Sequence, residues 1–273
     1  MSNSELRTAI DAGDVDAVHA IVTERPELAT AEIAWQESCG GGDSSEPLNY
    51  VSLARFHNLA DHDRMGDITG VLLRAGAPVD GAPDTEETPL ITAASYGEPG
   101  VARALVEAGA NLEAAGHAAP GGTALAHAVY YGNPELAEIV VAAGARVNSL
   151  AEAAGADQLG GRPIDGSSPD ELAWALRAAA VCDRPAVIDL LLAAGADFDA
   201  ETEGATALHH AASFGKLGAV RHLVERGADP SKRDAEHDGT PLSWCRHRQG
   251  ELFSPSPEHQ AVERYLESLT AVG

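Results

Sequence analysis

Apolar residues in this chain recur at helical spacing and are interrupted by glycines at regular positions. The segment TPLITAASYGEPGVARALVEAGANLEA, which begins at Thr88, has one apolar stripe before Gly97 and a second before Gly109. Residues three and four positions apart share one face of a helix, so each stripe predicts an amphipathic helix. Thr88 can cap the first helix, and glycine supplies the left-handed residue that ends each one. The segment is therefore predicted to form a short helix, a glycine turn and a longer antiparallel helix.

The same order of residues returns from Thr123 and Thr206, as TALAHAVYYGNPELAEIVVAAGARVNS and TALHHAASFGKLGAVRHLVERGADPSK. The glycines that end the second helices lie 33, 35, 51 and 32 residues apart: Gly76, Gly109, Gly144, Gly195 and Gly227. Units of this size cannot bury their own apolar faces, so they stack into a continuous core. The long interval predicts an insertion at about 150–167, whose Gly, Pro and Ser content favours a mobile loop. The stretch 37–46 is a second irregular region.

The pattern TPL, then AA, then G, then LLxxGA, at about 33 residues, resembles the ankyrin repeat of a bacterial-type protein. The resemblance covers nearly the whole chain and implies an all-α ankyrin-repeat solenoid of stacked helix-turn-helix units with short finger turns. We expect about seven units in a single solenoid over 1–273. Their predicted bounds are a capping repeat at 4–30, repeats at about 46–80, 85–115, 120–149, 168–200 and 203–234, and a C-terminal cap at 237–270.

The chain departs from the family in the TPLH tetrapeptide. Its histidine is present only as His209, and other residues occupy the equivalent places: Asn49, Ile91, Ala126, Arg177 and Ser243. We expect a weaker hydrogen-bond network in the turns that lack the histidine.

Composition favours a core of small residues, because 44% of the chain is hydrophobic and only 4% is aromatic. The 42 acidic and 18 basic residues give a formal charge of −24. This charge repels phosphate backbones and anionic lipids, so no nucleic acid or membrane partner is predicted. A partner with a basic surface is one interpretation of the charge, and solubility alone is the other.

Three cysteines, Cys39, Cys182 and Cys245, are far apart and lack metal-ligand spacing, which predicts neither a disulfide framework nor a zinc site. The amino-terminal residues lack the pattern of a signal peptide, and no apolar run approaches 18 residues. We therefore expect a cytoplasmic, monomeric protein with no cofactor and no metal.

The family resemblance implies that a concave face is formed by the finger turns and by the residues just before each glycine turn. The binding residues predicted on this face are Tyr96, Tyr130, Tyr131, Phe214, Trp174, Cys182, His247 and Arg248. Exposed tyrosine combines a large apolar area with a hydroxyl group and few rotatable bonds, as binding hot spots do. The alternative is that these aromatic side chains only cover the helix ends of the neighbouring repeat.

The finger segments carry acidic residues that could attract a basic ligand. These residues are Asp84, Glu86, Glu87, Glu201, Glu203, Asp234, Glu236 and Asp238. Turns are polar in most proteins, so the alternative is that these are ordinary solvated loop residues.

No catalytic motif occurs in the sequence, and no catalytic residue is assigned. The predicted function is therefore a protein–protein interaction module that binds through its concave aromatic and acidic face. The alternative is a small-molecule-binding or catalytic ankyrin-repeat protein whose groove is closed by the loops at 39–46 and 150–167. The candidates for that pocket are His57, Asp61, His62 and His127.

Overall fold

The structure is a computed structural model that describes residues 3–36, 42–54, 62–82, 87–160, 162–251 and 256–270. The chain divides into two compact units, unit 1 at Met1–Arg146 and unit 2 at Val147–Gly273. Each unit is built of stacked helix pairs, which confirms the predicted all-α fold. The single solenoid over 1–273 stays a prediction.

Unit 1 contains four helix pairs among its described residues, formed by α1 with α2, α3 with α4, α5 with α6 and α7 with α8. Their bounds are α1 Ser4–Asp11, α2 Val15–Glu24, α3 Pro47–Ser52, α4 Met65–Arg74, α5 Pro89–Tyr96, α6 Pro99–Glu107, α7 Ala124–Tyr130 and α8 Pro134–Ala142. Short 3-10 helices are present at Pro26–Ala29 and His62–Arg64. The first helices stack from α3 to α5 to α7, and the second helices stack from α2 to α4, α6 and α8. Each pair thus buries its apolar faces against its neighbours.

Helix α5 shows why the repeated sequence forms a helix with defined ends. The side chain of Thr88 accepts a hydrogen bond from the Ile91 amide at 3.3 Å, and Pro89 takes the first helical position. Both features stabilise a helix amino terminus, where the amides have no partner within the helix. Gly97 then adopts the left-handed conformation, with φ at 77°, and ends the helix.

The irregular stretch predicted at 37–46 contributes to a β-hairpin. Strand β1, Ile33–Gln36, pairs antiparallel with β2, Gly42–Ser45, and Ile33 lies opposite Ser45. Arg7 of α1 donates to the Ala34 carbonyl at 2.9 Å, which ties β1 to the first helix. Residues 37–41 lie outside the described residues. Of this irregular stretch, Gly42–Ser45 thus form a strand.

Unit 2 contains three helix pairs in its described part, and one further short helix precedes them. The helices are α9 Leu150–Gly155, α10 Pro169–Val181, α11 Pro185–Ala193, α12 Ala207–Ser213, α13 Leu217–Glu225, α14 Pro241–Glu251 and α15 Pro257–Thr270. Helix α10 pairs with α11, α12 with α13, and α14 with α15, while α10, α12 and α14 stack in that order. A small hairpin, β3 Glu201–Thr202 with β4 Ala205–Thr206, forms the finger before α12.

The predicted insertion at 150–167 contains α9, so this stretch is not only a loop. The side chain of Ser149 caps α9 by accepting from the Glu152 amide at 3.0 Å, and Ala153 and Ala154 are fully buried. Helix α9 packs against α10. Helix α10 starts at Pro169 with a complete capping box between Ser168 and Glu171, and it has 13 residues where α5 has 8.

Side chains of one pair cap the helices of the previous pair. Asn133 Nδ2, just before α8, donates to the carbonyls of Ala94 at 2.8 Å and Ser95 at 3.1 Å. Arg184 in unit 2 likewise donates from Nε to the Gly155 carbonyl at 3.3 Å. The last carbonyls of a helix have no intrahelical partner, so these bonds both satisfy them and fix the stacking. Of the described helices, none combines the length and apolar character needed to cross a bilayer.

Candidate interaction surface

Three tyrosines cluster at the ends of two adjacent helices of unit 1, and we call Tyr96, Tyr130 and Tyr131 the tyrosine strip. Tyr96 is the last residue of α5 and its side chain is 40% exposed. Tyr130 ends α7 and Tyr131 follows it, and both are half-buried. Their rings meet edge to face, with centroids 5.0 Å apart at 84°. This geometry is a favourable one for aromatic pairs.

His127 lies beneath the tyrosine strip and connects its two helices. Its ring centroid is 6.1 Å from that of Tyr131, and its Nδ1 is 2.8 Å from Ser95 Oγ, next to Tyr96 in the chain. The side chain is 0% exposed. His127 was predicted to line a pocket, and that prediction is wrong for this structure because a fully buried imidazole cannot contact a ligand. Its role here is to join α7 to α5.

The finger that precedes α5 places a carboxylate near His127. Burial lowers the pKa of His127, while the negative charge of Glu87 acts in the opposite direction. Glu87 is half-buried, and a Cβ atom built on Gly116 would lie 3.3 Å from its Oε1. The side chain therefore lies against the next finger. The predicted finger residues Asp84 and Glu86 fall outside the described residues.

The other pocket candidates cannot be placed in the same way. His57 and Asp61 lie outside the described residues, and of His62 only the backbone, at the start of the 3-10 helix, is described. The two loops expected to close a groove, at 39–46 and 150–167, belong to different units.

The candidate contact residues of unit 2 lie on its three stacked first helices, α10, α12 and α14, or directly after them. Trp174 and Phe214 are half-buried, and His247 and Arg248 are exposed. Cys182 is 1% exposed, so its thiol offers no contact surface and its prediction as a binding residue is wrong. Helix α10 buries it because its small side chain packs as a hydrophobic residue.

The acidic fingers of unit 2 differ from one another in exposure. Glu201, Glu203, Glu236 and Asp238 are exposed, whereas Asp234 is only 4% exposed. The Asp234 carboxylate accepts hydrogen bonds from the amides of Glu236 at 2.9 Å, His237 at 2.6 Å and Gly239 at 2.7 Å. Asp234 was predicted to attract a ligand, and that is wrong here because its carboxylate is buried and occupied by the finger itself.

A family model described as ankyrin repeats (3 copies) matches residues 56–151 and 167–248, which are more than half of this chain. The chain belongs to the ankyrin repeat family. It is similar to the crystal structure of the human ASB11 ankyrin repeat domain, with 22% identity, a TM-score of 0.45, and 94% of this chain and 95% of that chain covered. It is also similar to the ankyrin repeat domain of Bcl-3, a unique member of the IkappaB protein family, with 24% identity and a TM-score of 0.37. That match covers 80% of this chain and 97% of the other.

No curated protein matches this ankyrin repeat chain. Ankyrin repeat domains generally mediate protein–protein interaction. Membership of the family therefore makes a protein the expected type of partner, and the geometry of the two units must indicate which surface binds it.

Two residues of the repeats were not predicted as functional, although they hold the fingers of unit 2. Trp244 packs its ring edge to face against His209 and His210, with centroids 5.7 Å and 5.5 Å away, and donates from Nε1 to Asp234 at 3.0 Å. Arg177 occupies the TPLH histidine position of its repeat and is buried. Its guanidinium lies 3.5 Å from Glu203 in the next finger and 5.5 Å from the Trp174 ring centroid.

The one TPLH histidine of this ankyrin chain shows what Arg177 replaces. His209 Nδ1 is 2.8 Å from Thr206 Oγ1, and its Nε2 is 3.1 Å from the carbonyl of Gly239 in the next finger. Both His209 and Arg177 thus reach from a first helix to the following finger. Arginine in place of the TPLH histidine is visible in the sequence, and this replacement could have identified Arg177 as a residue that holds a finger.

Within the described ranges, no three His, Cys, Asp or Glu side chains are grouped to hold a metal ion. A shallow depression of about 270 Å³ lies between α2 and α4 of unit 1 and is lined in part by His19, Val71 and Arg74. It includes none of the predicted site residues.

Proposed function

We propose that this ankyrin repeat protein binds another protein through the tyrosine strip of unit 1. The observation that carries the proposal is the exposed Tyr96 side chain at the end of α5, beside the Tyr130–Tyr131 ring pair at the end of α7. Stacking of α5 on α7 brings these helix ends together. The strip offers the apolar ring surface of Tyr96 to a partner.

The surroundings of the strip support a rigid binding surface. The Ser95–His127 contact and the bonds from Asn133 to the end of α5 hold both helix ends in place. A side chain that is already fixed loses little conformational entropy when a partner binds. Tyrosine in such a setting is typical of interface hot spots.

The charge supports a partner with a basic surface. The chain carries a formal charge of −24, and Glu87 lies on the finger that leads into α5. Such a field accelerates encounter with a basic protein and repels nucleic acid. Association should therefore weaken as salt is added.

Unit 2 supplies a second set of contact residues in the same proposal. These residues would contact the same partner or another one. They are the helix residues Trp174, Phe214, His247 and Arg248 and the finger residues Glu201, Glu203, Glu236 and Asp238. We further propose a cytoplasmic protein, because the three cysteines of the sequence form no disulfide pattern. We also propose that it is monomeric, because a net charge of −24 opposes self-association.

The test removes two tyrosine rings of the strip and compares the effect with removal of a tyrosine in unit 2. Native protein, a Tyr96→Ala/Tyr131→Ala variant and a Tyr265→Ala variant are immobilised at pH 7.5 and exposed to cell extract. Tyr265 is a half-buried tyrosine of unit 2 that lies 5.3 Å from the Arg221 guanidinium. We expect one or more proteins to be retained by the native and Tyr265→Ala columns and lost from the double variant.

The loss of affinity is then measured with the purified partner. Loss of two hot-spot tyrosines should weaken binding by at least about 30-fold, since each typically contributes about 1 kcal/mol or more. Equal retention by all three columns, with a lowered melting temperature of the double variant only, would show that the tyrosines serve packing alone.

A further inference from the structure

The proton on His127 can be placed from its hydrogen bonds. Ser95 Oγ lies 3.0 Å from the Ile91 carbonyl, which only accepts, so the single hydroxyl proton of Ser95 is donated there. The contact between Ser95 Oγ and His127 Nδ1, at 2.8 Å, must then be donated by Nδ1–H. The neutral imidazole accordingly carries its lone pair on Nε2.

The Nε2 atom is buried and has no hydrogen-bond partner within the described residues. A lone pair in this position is tolerated, but protonation would place a charged N–H group there. A buried charged donor needs an acceptor or must leave its site. Burial already lowers the pKa of His127, in keeping with a site built for the neutral ring.

Glu87 is the charged group whose field reaches His127. Of the groups that contact the ring, Ser95 on α5 and Tyr131 after α7 are neutral at pH 7. Helix α8 also packs on α7, and its carboxylates Glu135 and Glu138 are exposed, with Glu135 in an ion pair with Arg103. An imidazolium at position 127 would therefore lie in the negative field of Glu87.

We infer that protonation of His127 weakens binding of a basic partner at the tyrosine strip, because it places a positive charge beneath Tyr131 that also offsets the negative field of Glu87. This inference rests on the proposed function of the strip. A cation 6.1 Å from the Tyr131 ring centroid repels basic groups above it and offsets the attraction that Glu87 exerts on them. The gain of one proton is thus a single change of charge that disfavours a basic partner.

The direction with pH follows from the burial of the ring. The neutral ring persists at pH 7.5 and the switch lies below the ordinary histidine pKa of about 6.5. Protein captured at pH 7.5 should elute when the column is stepped to one pH unit below the titration midpoint of His127. Elution should fail from a His127→Gln column, because glutamine keeps a donor for Ser95 and does not titrate. In solution we expect about tenfold weaker binding at that pH for native protein, against a change of less than about twofold for His127→Gln.

The coupling can be measured without any partner. Selective ¹³C labelling of histidine and tyrosine rings lets the titration of His127 be compared with the signals of Tyr131 and Tyr96 between pH 8 and pH 4.5. We expect the Tyr131 signal to shift at the His127 midpoint, and the Tyr265 signal to stay unchanged at that midpoint. In Glu87→Gln, which retains the imidazole and alters a half-buried finger residue, the His127 midpoint should fall further.

Each outcome bears on one proposal or the other. A His127 ring that stays neutral until the chain unfolds, or a Tyr131 shift that persists unchanged in His127→Gln, overturns the switch. So does an unchanged His127 midpoint in Glu87→Gln. Capture at pH 7.5 that survives loss of the strip tyrosines overturns the proposed binding face instead, whatever the ring titration shows.

Discussion

The carboxylate of Asp234 satisfies three backbone amides of one finger and the indole N–H of Trp244 on the next helix. Burial would raise its pKa, but the hydrogen bonds from His237, Trp244 and Gly239 outweigh burial and hold it well below its usual range. Asp234 also shows where sequence reasoning about single residues stops. An acidic residue in a turn is predicted to be solvated, and only the folded finger turns the amides toward it.

Replacing Asp234 with alanine should therefore destabilise unit 2 strongly. The change leaves three amides and one indole N–H without their acceptor, and buried donors left unpaired cost about 1–3 kcal/mol each before relaxation and water entry. We expect a net loss of about 3 kcal/mol in the free energy of unfolding, measured by urea titration. Glu236→Ala, an exposed acid of the same finger, should cost less than about 0.5 kcal/mol. Equal costs for the two variants would contradict this account of the finger.

The sequence predicts a helix well when the residues that start and end it lie close together in the chain. The bounds of α5 follow from Thr88, Pro89 and Gly97, which act within a few residues of one another. Helix α9 was missed because six residues of LAEAAG are too few to display a helical period, and their burial depends on α10. Hairpin β1–β2 was missed for a related reason, since Arg7, which holds β1 through the Ala34 carbonyl, lies 27 residues away along the chain.

The capping box of α10 should determine the stability of the start of that helix. Ser168→Ala removes the acceptor of the Glu171 amide, bonded at 3.2 Å, and should destabilise the helix start by about 1 kcal/mol. Amide hydrogen exchange should speed up over the first turn of α10 and remain unchanged in α12. Ser167→Ala, one residue before the cap, is the matched control. Faster exchange throughout unit 2 in both variants would argue against a local capping role.

At the scale of the whole molecule, the repeated glycines and apolar stripes are enough to predict the fold class, but they do not indicate which surface is functional. The tyrosines could be placed at the ends of first helices because each precedes a glycine or a turn in the repeat. Their exposure could not be predicted, since it depends on how α5 and α7 stack. The burial of His127 and Cys182 depends in the same way on packing between pairs.

Buried neutral histidines should make the molecule sensitive to acid. Burial is the largest cause that lowers the pKa of His210 to about 4, and the Arg177 charge adds to it. The unfolded chain, with a histidine pKa of about 6.5, binds more protons than the folded chain between these values, so stability falls as pH decreases from about 6.5 to 4. This group alone corresponds to about 3 kcal/mol across that window.

Net charge acts in the opposite direction, because acidification reduces the self-repulsion of a chain at −24. The two contributions separate in 0.5 M salt, which screens repulsion between exposed charges but not the desolvation of a buried ring. We expect the free energy of unfolding in high salt to fall steadily from pH 7 to pH 4.5 in native protein. In His210→Gln, whose side chain can still donate toward the Thr202 carbonyl that His210 Nε2 contacts at 2.9 Å, the fall should be smaller. An equal fall in the free energy of unfolding in both proteins would mean that other groups determine the acid sensitivity. It would also mean that the pKa of His210 is the same in the folded and the unfolded chain.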